Sequence, residues 1–268
     1  MTGAIFSHAL RRNWRQILYW GLGMALLGFI VMWVIPDVDA LQRTTEMLQA
    51  MPRPLLQFLN ADDMAALATP EGFISIGFFS RAVLVFAVYA VSFGLRVTAN
   101  EEDEGILDVL LSLPVPRWRV VVEKFAAYTL MFLIIVALSL GGLWLATSLT
   151  TLPVNMGRVL ESGVAMIPVV LVMMALTTLI AVVVRRKATA VALTSGIIVG
   201  SYFIDFLGRA ASGTAADSLR LVSFFNYYDF QAIIQTGIRI GDVVLLVVVT
   251  LVLLGGTVWA FARRDIGT

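Results

Sequence analysis

The sequence has no cysteine and a single histidine, His8. The first absence excludes a disulfide framework, a thiolate metal site and a cysteine nucleophile; the second excludes a histidine metal cluster. Charge is also scarce, with 14% of residues Asp, Glu, Lys or Arg where a soluble domain carries about 25%. Apolar residues make up 59% of the chain and mean hydropathy is +0.90. A water-soluble fold of this composition would expose large apolar patches, so the chain reads as one integral membrane domain. Its 19 basic and 18 acidic residues nearly cancel, which leaves no strongly basic face for nucleic acid. The lysines are Lys124 and Lys187, preceded by Glu123 and Arg186. A P-loop needs glycine directly before its lysine so that backbone amides cradle phosphate, and neither lysine meets that requirement.

A helix crossing ~30 Å of hydrocarbon needs roughly 20 mainly apolar residues. Six stretches qualify: 17–35, 73–95, 125–148, 162–184, 188–208 and 242–262. The first is too long for a cleaved signal segment and ends in Pro36-Asp37-Val38-Asp39 without a small-residue cleavage pattern, so it is expected to remain as an anchor. An even count places both termini on one side, and the Lys/Arg bias of the connections orients them. Arg11, Arg12, Arg15, Arg96, Arg117, Arg119, Lys124, Arg185, Arg186, Lys187, Arg263 and Arg264 share the side of the termini. Arg43, Arg53, Arg158, Arg209, Arg220 and Arg239 fall on the other. Twelve against six predicts cytoplasmic termini.

The connections differ in content. In the first external one, Leu41, Leu48, Leu55, Leu56 and Leu59 recur among polar residues, which predicts amphipathic surface helices broken by Pro52 and Pro54. The last external one carries Phe224, Phe225, Tyr227, Tyr228 and Phe230, read as an interfacial aromatic belt. Near the N-terminus, His8, Leu10, Trp14 and Ile17 among arginines suggest an amphipathic helix at the membrane surface.

The connection between the second and third stretches reads NEEDEGILDVLLSLPVPRWRVVVEK, Asn100 to Lys124. Four acids from Glu101 to Glu104 suit the positive end of a helix dipole. A short apolar run follows, with Ile106 and Leu110, and Leu107 and Leu111, four residues apart. Pro114 and Pro116 then stop the helix. Roughly ten residues cannot cross the bilayer, so this helix should lie on the cytoplasmic side with its apolar ridge turned to lipid or to a partner.

This segment resembles the signature of type-2 ATP-binding-cassette transporter permeases. Glu101, Glu102, Gly105, Leu107, Leu110, Leu111, Pro114, Arg117 and Lys124 stand where that family has its acidic pair, glycine, leucine-rich turn, proline and basic residues. TPEGF at Thr69–Phe73, FFNYYDF at Phe224–Phe230 and FARRDI at Phe261–Ile266 extend the likeness over the chain. Family members often have threonine where Ile106 stands and proline near Phe224 and Phe230, which leaves the local loop shapes open. The resemblance implies an all-α membrane fold over residues 1–268: six transmembrane helices, an N-terminal amphipathic interfacial helix and a short cytoplasmic coupling helix. It further implies a permease dimer, or a pair with a similar permease, served by two separate cytoplasmic ATPase subunits that bind ATP and Mg. Glu101, Glu102, Glu104, Gly105, Leu107, Leu110, Leu111, Pro114 and Arg117 would then form the ATPase-coupling element. The implied activity is ATP-driven export; the family handles lipids, polysaccharides, drugs, peptides and ions, the residues do not single out a cargo, and a lipophilic compound is our own preference among them. A secondary transporter would need ion-coupling carboxylates near mid-membrane or paired broken helices, and neither is evident. A non-transporting scaffold is the third reading.

Two charges fall within the spans, Arg81 in the second and Asp205 near the outer end of the fifth. Either each turns separately towards the headgroups, or they form an ion pair or a polar contact in a transport path. Gly196 and Gly200 form a GxxxG pair, which permits close helix approach within the subunit or across a dimer. The resemblance favours the dimer, because it brings the first and fifth spans of two subunits together. Gly141, Gly142 and Pro168 suggest close packing and a kink. No stretch carries the nucleophile with histidine, paired aspartates or HExxH pattern that an intramembrane hydrolase would need.

Overall fold

Where no water can satisfy the backbone, helices pair every donor and acceptor within their own chain. The computed structural model describes residues 3–34, 37–52, 69–98, 116–184, 186–210 and 215–263, and these are helical almost throughout. The helices are α1 (Ala4–Trp33), α2 (Val38–Gln49), α3 (Pro70–Leu95), α4 (Arg117–Ser148), α5 (Met156–Val184), α6 (Lys187–Ala210), α7 (Phe230–Thr236) and α8 (Ile240–Ala262). Short 3-10 turns lie at Ala215–Val222 and Phe224–Tyr227. Among the described residues six helices, α1, α3, α4, α5, α6 and α8, are long and apolar enough to cross a membrane. The chain is an all-α, six-span membrane protein.

Two boundaries differ from the sequence reading. The amphipathic N-terminal segment is not a separate interfacial helix, because α1 runs unbroken from Ala4 to Trp33, with no proline inside it and Gly21 as its first glycine. At 1.5 Å per residue its 30 residues reach about 45 Å, longer than the ~30 Å hydrocarbon layer, so one end projects beyond it. Likewise α4 begins at Arg117 rather than near residue 125. Pro116, extended at φ −63° and ψ 135°, sits at its N-cap position. Arg117 and Arg119 therefore lie in the first turn of the α4 helix.

The second span shows how local sequence builds an end. Thr69 Oγ1 accepts the Gly72 N–H at 3.1 Å, Pro70 occupies the first turn and Glu71 adds negative charge there, which accounts for TPEGF as a helix start. Glu71 also accepts the Asn155 N–H, tying α3 to the turn before α5. Past this start, α3 passes through a π-helical turn, Ser75–Phe79, before resuming α geometry at Ser80.

α3 and α5 are the most enclosed spans, and α5 touches α3, α4, α6 and α8. α1 packs along α4, and glycines set the distance. A Cβ at Gly142 would stand 2.5 Å from the Ala25 carbonyl oxygen, and one at Gly21 would collide with Leu138. At the α3–α5 crossing, a Cβ at Gly94 would lie 2.8 Å from the Met174 carbonyl. An aromatic cluster fills the space between α1, α3 and α4: Tyr89 lies edge-on to Trp20 and stacks on Phe93, which meets Tyr128. The Tyr89 hydroxyl donates to the Tyr128 carbonyl at 2.8 Å, so the buried phenol has its partner. Gly141, in contrast with its neighbour, faces open space. Pro168 lies inside α5, as expected.

Candidate functional site: the roots of the coupling segment

The acidic residues Glu101, Glu102 and Glu104, with Gly105, Leu107, Leu110, Leu111 and Pro114, lie outside the described residues. The two roots of that segment are described, at the end of α3 and the start of α4. Both grip α1.

At the outgoing root, the Arg96 guanidinium donates to Asn13 Oδ1 at 2.6 Å and stands 4.8 Å from the Phe93 ring centroid. Asn13 is buried and uses its amide nitrogen on the Ala9 carbonyl at 2.9 Å, which orients its oxygen towards Arg96. With its amide assigned oxygen-inward, Gln16 accepts from Arg96 Nη2 at 3.1 Å. At the incoming root, Glu123 accepts the Gly3 N–H at 3.3 Å on one oxygen and the Phe6 N–H at 3.2 Å on the other. Arg119, one turn earlier, holds the same carboxylate at 3.2 Å. Lys124 is buried and donates from Nζ to the Val97 carbonyl at 3.1 Å, joining the two roots directly. A buried ammonium needs such a partner, since desolvation without one costs several kcal/mol. Arg117 is half-buried in the first turn of α4 and faces this same end.

The opposite end carries the second charged group. Asp205, buried in α6, accepts from Arg209 Nε at 2.8 Å and from Arg220 Nε at 3.3 Å. Arg81 does not join them. Its Nη1 donates to the Ile76 and Gly77 carbonyls at 2.8 and 2.9 Å, which lie in the π turn of its own helix. The expected Arg81–Asp205 pair is thus replaced by two local solutions. A π turn disturbs the regular helical pairing, and an arginine just after it reaches back towards the helix start, where Cβ bonds already point. Asp205 meanwhile finds a guanidinium four residues on, at helical spacing.

The aromatic run is not an interfacial belt either. Phe225, Tyr228 and Phe230 are buried. Ser223 caps the turn by accepting the Phe225 N–H and also donates to the Ser201 carbonyl at 2.8 Å. Tyr228 donates to the Ser162 carbonyl at 3.2 Å, and burial pushes its phenol well above the usual range, so it stays a neutral donor. A narrow cleft at this end is lined by Ser80, Tyr202, Asp205, Arg209 and Tyr228. Gly196 and Gly200 touch nothing: a Cβ at either would meet open space. With exposed Leu193, Ile197, Phe203 and Leu207 they form one outward stripe of α6, while Thr194, Ile198, Ser201 and Asp205 face inward.

Sequence reasoning missed Asn13, Gln16 and Glu123. The local signs are Arg119 four residues before Glu123 and Lys124 directly after it, and the other partners of Glu123, the Gly3 and Phe6 N–H groups, are far away in sequence.

Six spans in a helical bundle, with both roots of a charged connection held on the first span, define a multi-pass membrane protein. The chain matches the ABC-2 family transporter proteins over residues 4–266 and belongs to that family. It is a multi-pass transporter membrane subunit of a family whose permeases pair with ATP-binding-cassette ATPases and are not themselves catalytic. No curated protein matches it.

Proposed function

We propose that the chain is the permease of an ATP-driven exporter, working as a permease dimer with two cytoplasmic ATPase subunits, in the plasma or inner membrane with both termini cytoplasmic. The observation that carries this reading is the family match from residue 4 to residue 266, which takes in the acidic, leucine-rich and basic run between the second and third spans. Coupling falls to Glu101, Glu102, Glu104 and the apolar ridge behind them, which would dock on a basic and apolar ATPase surface. The outward stripe of α6 supports the dimer: Gly196 and Gly200 make a notch with no filling in their own subunit, and α1 exposes Leu22, Leu26 and Ile30 as side chains of a size to enter it. A lipophilic cargo is favoured because the fully buried charges among the described residues, Lys124 and Asp205, are both engaged by protein groups. None is left to hold a small ion. Purification of the tagged chain from its native membrane tests the reading, with a stoichiometric ATPase expected. A pure permease that never carries one would overturn it.

A further inference from the structure

We infer that Glu123 is a positioning residue that fastens the amino end of α1 to the incoming root of the coupling segment, so that movement of that segment is delivered to α1. The inference rests on the permease reading above. It starts from a deficiency in α1. A helix start has four N–H groups without intrahelical acceptors, normally met by a Ser, Thr, Asp or Asn cap. Here the cap position is Gly3, at φ +86°, and no side chain of α1 caps it. Glu123 supplies the missing acceptor from the third span with both of its oxygens, to Gly3 and Phe6. The carboxylate meets the positive end of the α1 dipole, where anions are stabilised. It is largely enclosed, with 16% of its side chain exposed, and Arg119 at 3.2 Å fixes its direction.

The second grip makes this a lever. Arg96 holds Asn13, about 15 Å further along α1 at 1.5 Å per residue. The two roots therefore hold one rod at two heights, and displacing one root relative to the other tilts α1. The helix has no proline to absorb that tilt before Trp33. Without Glu123, the amino end of α1 keeps its apolar packing but loses the polar fastening that answers to α4.

The chain's lack of cysteine allows a direct test in the assembled permease–ATPase complex in lipid nanodiscs. An environment-sensitive fluorophore is placed either at Trp118→Cys, exposed in the first turn of α4, or at Tyr19→Cys, exposed on α1. ATP with orthovanadate should shift both probes in the otherwise native chain. In Glu123→Ala the probe at 118 should keep its shift while the probe at 19 loses at least half of its own; Glu123→Gln, which keeps one oxygen acceptor, should fall between. An undiminished shift at 19 in Glu123→Ala overturns the inference, as does equal loss at both probes with the ATPase still bound, which would assign Glu123 to general folding of this end. If the alanine variant does not assemble, an undiminished shift at 19 in Glu123→Gln is equally fatal. Silence of the probe at 118 in the native background would instead overturn the permease reading, and this inference with it.

Discussion

Arg220, in the turn that follows α6, reaches back to Asp205 and places its Nε 3.3 Å from the carboxylate, while Arg209 holds the other oxygen from within the helix. Removing the aspartate takes the shared carboxylate away from two largely enclosed guanidiniums. Truncating one member of a buried ion pair typically costs 3–5 kcal/mol, and the partial exposure of the arginines points to about the lower end. Asp205→Ala should therefore lower the thermal midpoint in detergent more than Arg220→Ala. The double variant should lose less than the two losses added. Arg81→Ala combined with Asp205→Ala should be additive, because Arg81 bonds elsewhere; clear non-additivity would show that the two side chains meet.

Arg81 is expected to hold the π turn. Its replacement by alanine leaves the Ile76 carbonyl to Ser80 and removes one donor from the Gly77 carbonyl, a loss of about 1 kcal/mol for part-buried bonds from an exposed side chain. Amide exchange over residues 75–81 should quicken in Arg81→Ala, and lysine should restore only part of the protection. Unchanged exchange would place the guanidinium in lipid headgroups rather than on its own helix.

Neighbouring glycines should behave in opposite ways. Gly142→Ala puts a methyl group 2.5 Å from a backbone oxygen of α1 that has no flexible end to move, so α1 and α4 must separate and stability should fall. Gly141→Ala meets open space and should be neutral or gain up to about 1 kcal/mol from helix propensity. Thermal unfolding of the two variants side by side checks both directions.

Gly196→Leu and Gly200→Leu are expected to leave the isolated subunit as stable as before, since nothing in it lies against them. Crosslinking between subunits should fall in both. Loss of monomer stability with an unchanged dimer would contradict the dimer role.

The six spans were legible because an apolar run long enough to cross a bilayer has few other uses. Their true ends were not. Ala4–Arg15 and Arg117–Lys124 are polar enough to read as surface, yet nothing in them breaks a helix, and a helix does not stop where the membrane does. The helix-start chemistry of Thr69 was readable locally, as was a boundary at Pro116, which stands at the N-cap position of α4. The grip of Glu123 on Gly3 and Phe6 was not, because an unfilled cap shows only that some acceptor is wanted, and the acceptor came from 120 residues away. Arg81 and Asp205 do not pair for a related reason: the Ile76 and Gly77 carbonyls of a π turn, which the sequence does not announce, are nearer to Arg81.

An ATPase is expected to drive this permease through the segment between α3 and α4. ATP hydrolysis by the reconstituted complex, compared between the native chain and Glu101→Lys/Glu102→Lys/Glu104→Lys, tests it most directly. The charge-reversed permease is expected to insert normally, keep both termini on the same side by cysteine labelling, and fail to retain or stimulate the ATPase. Full retention and native stimulation by the triple variant would contradict this expectation.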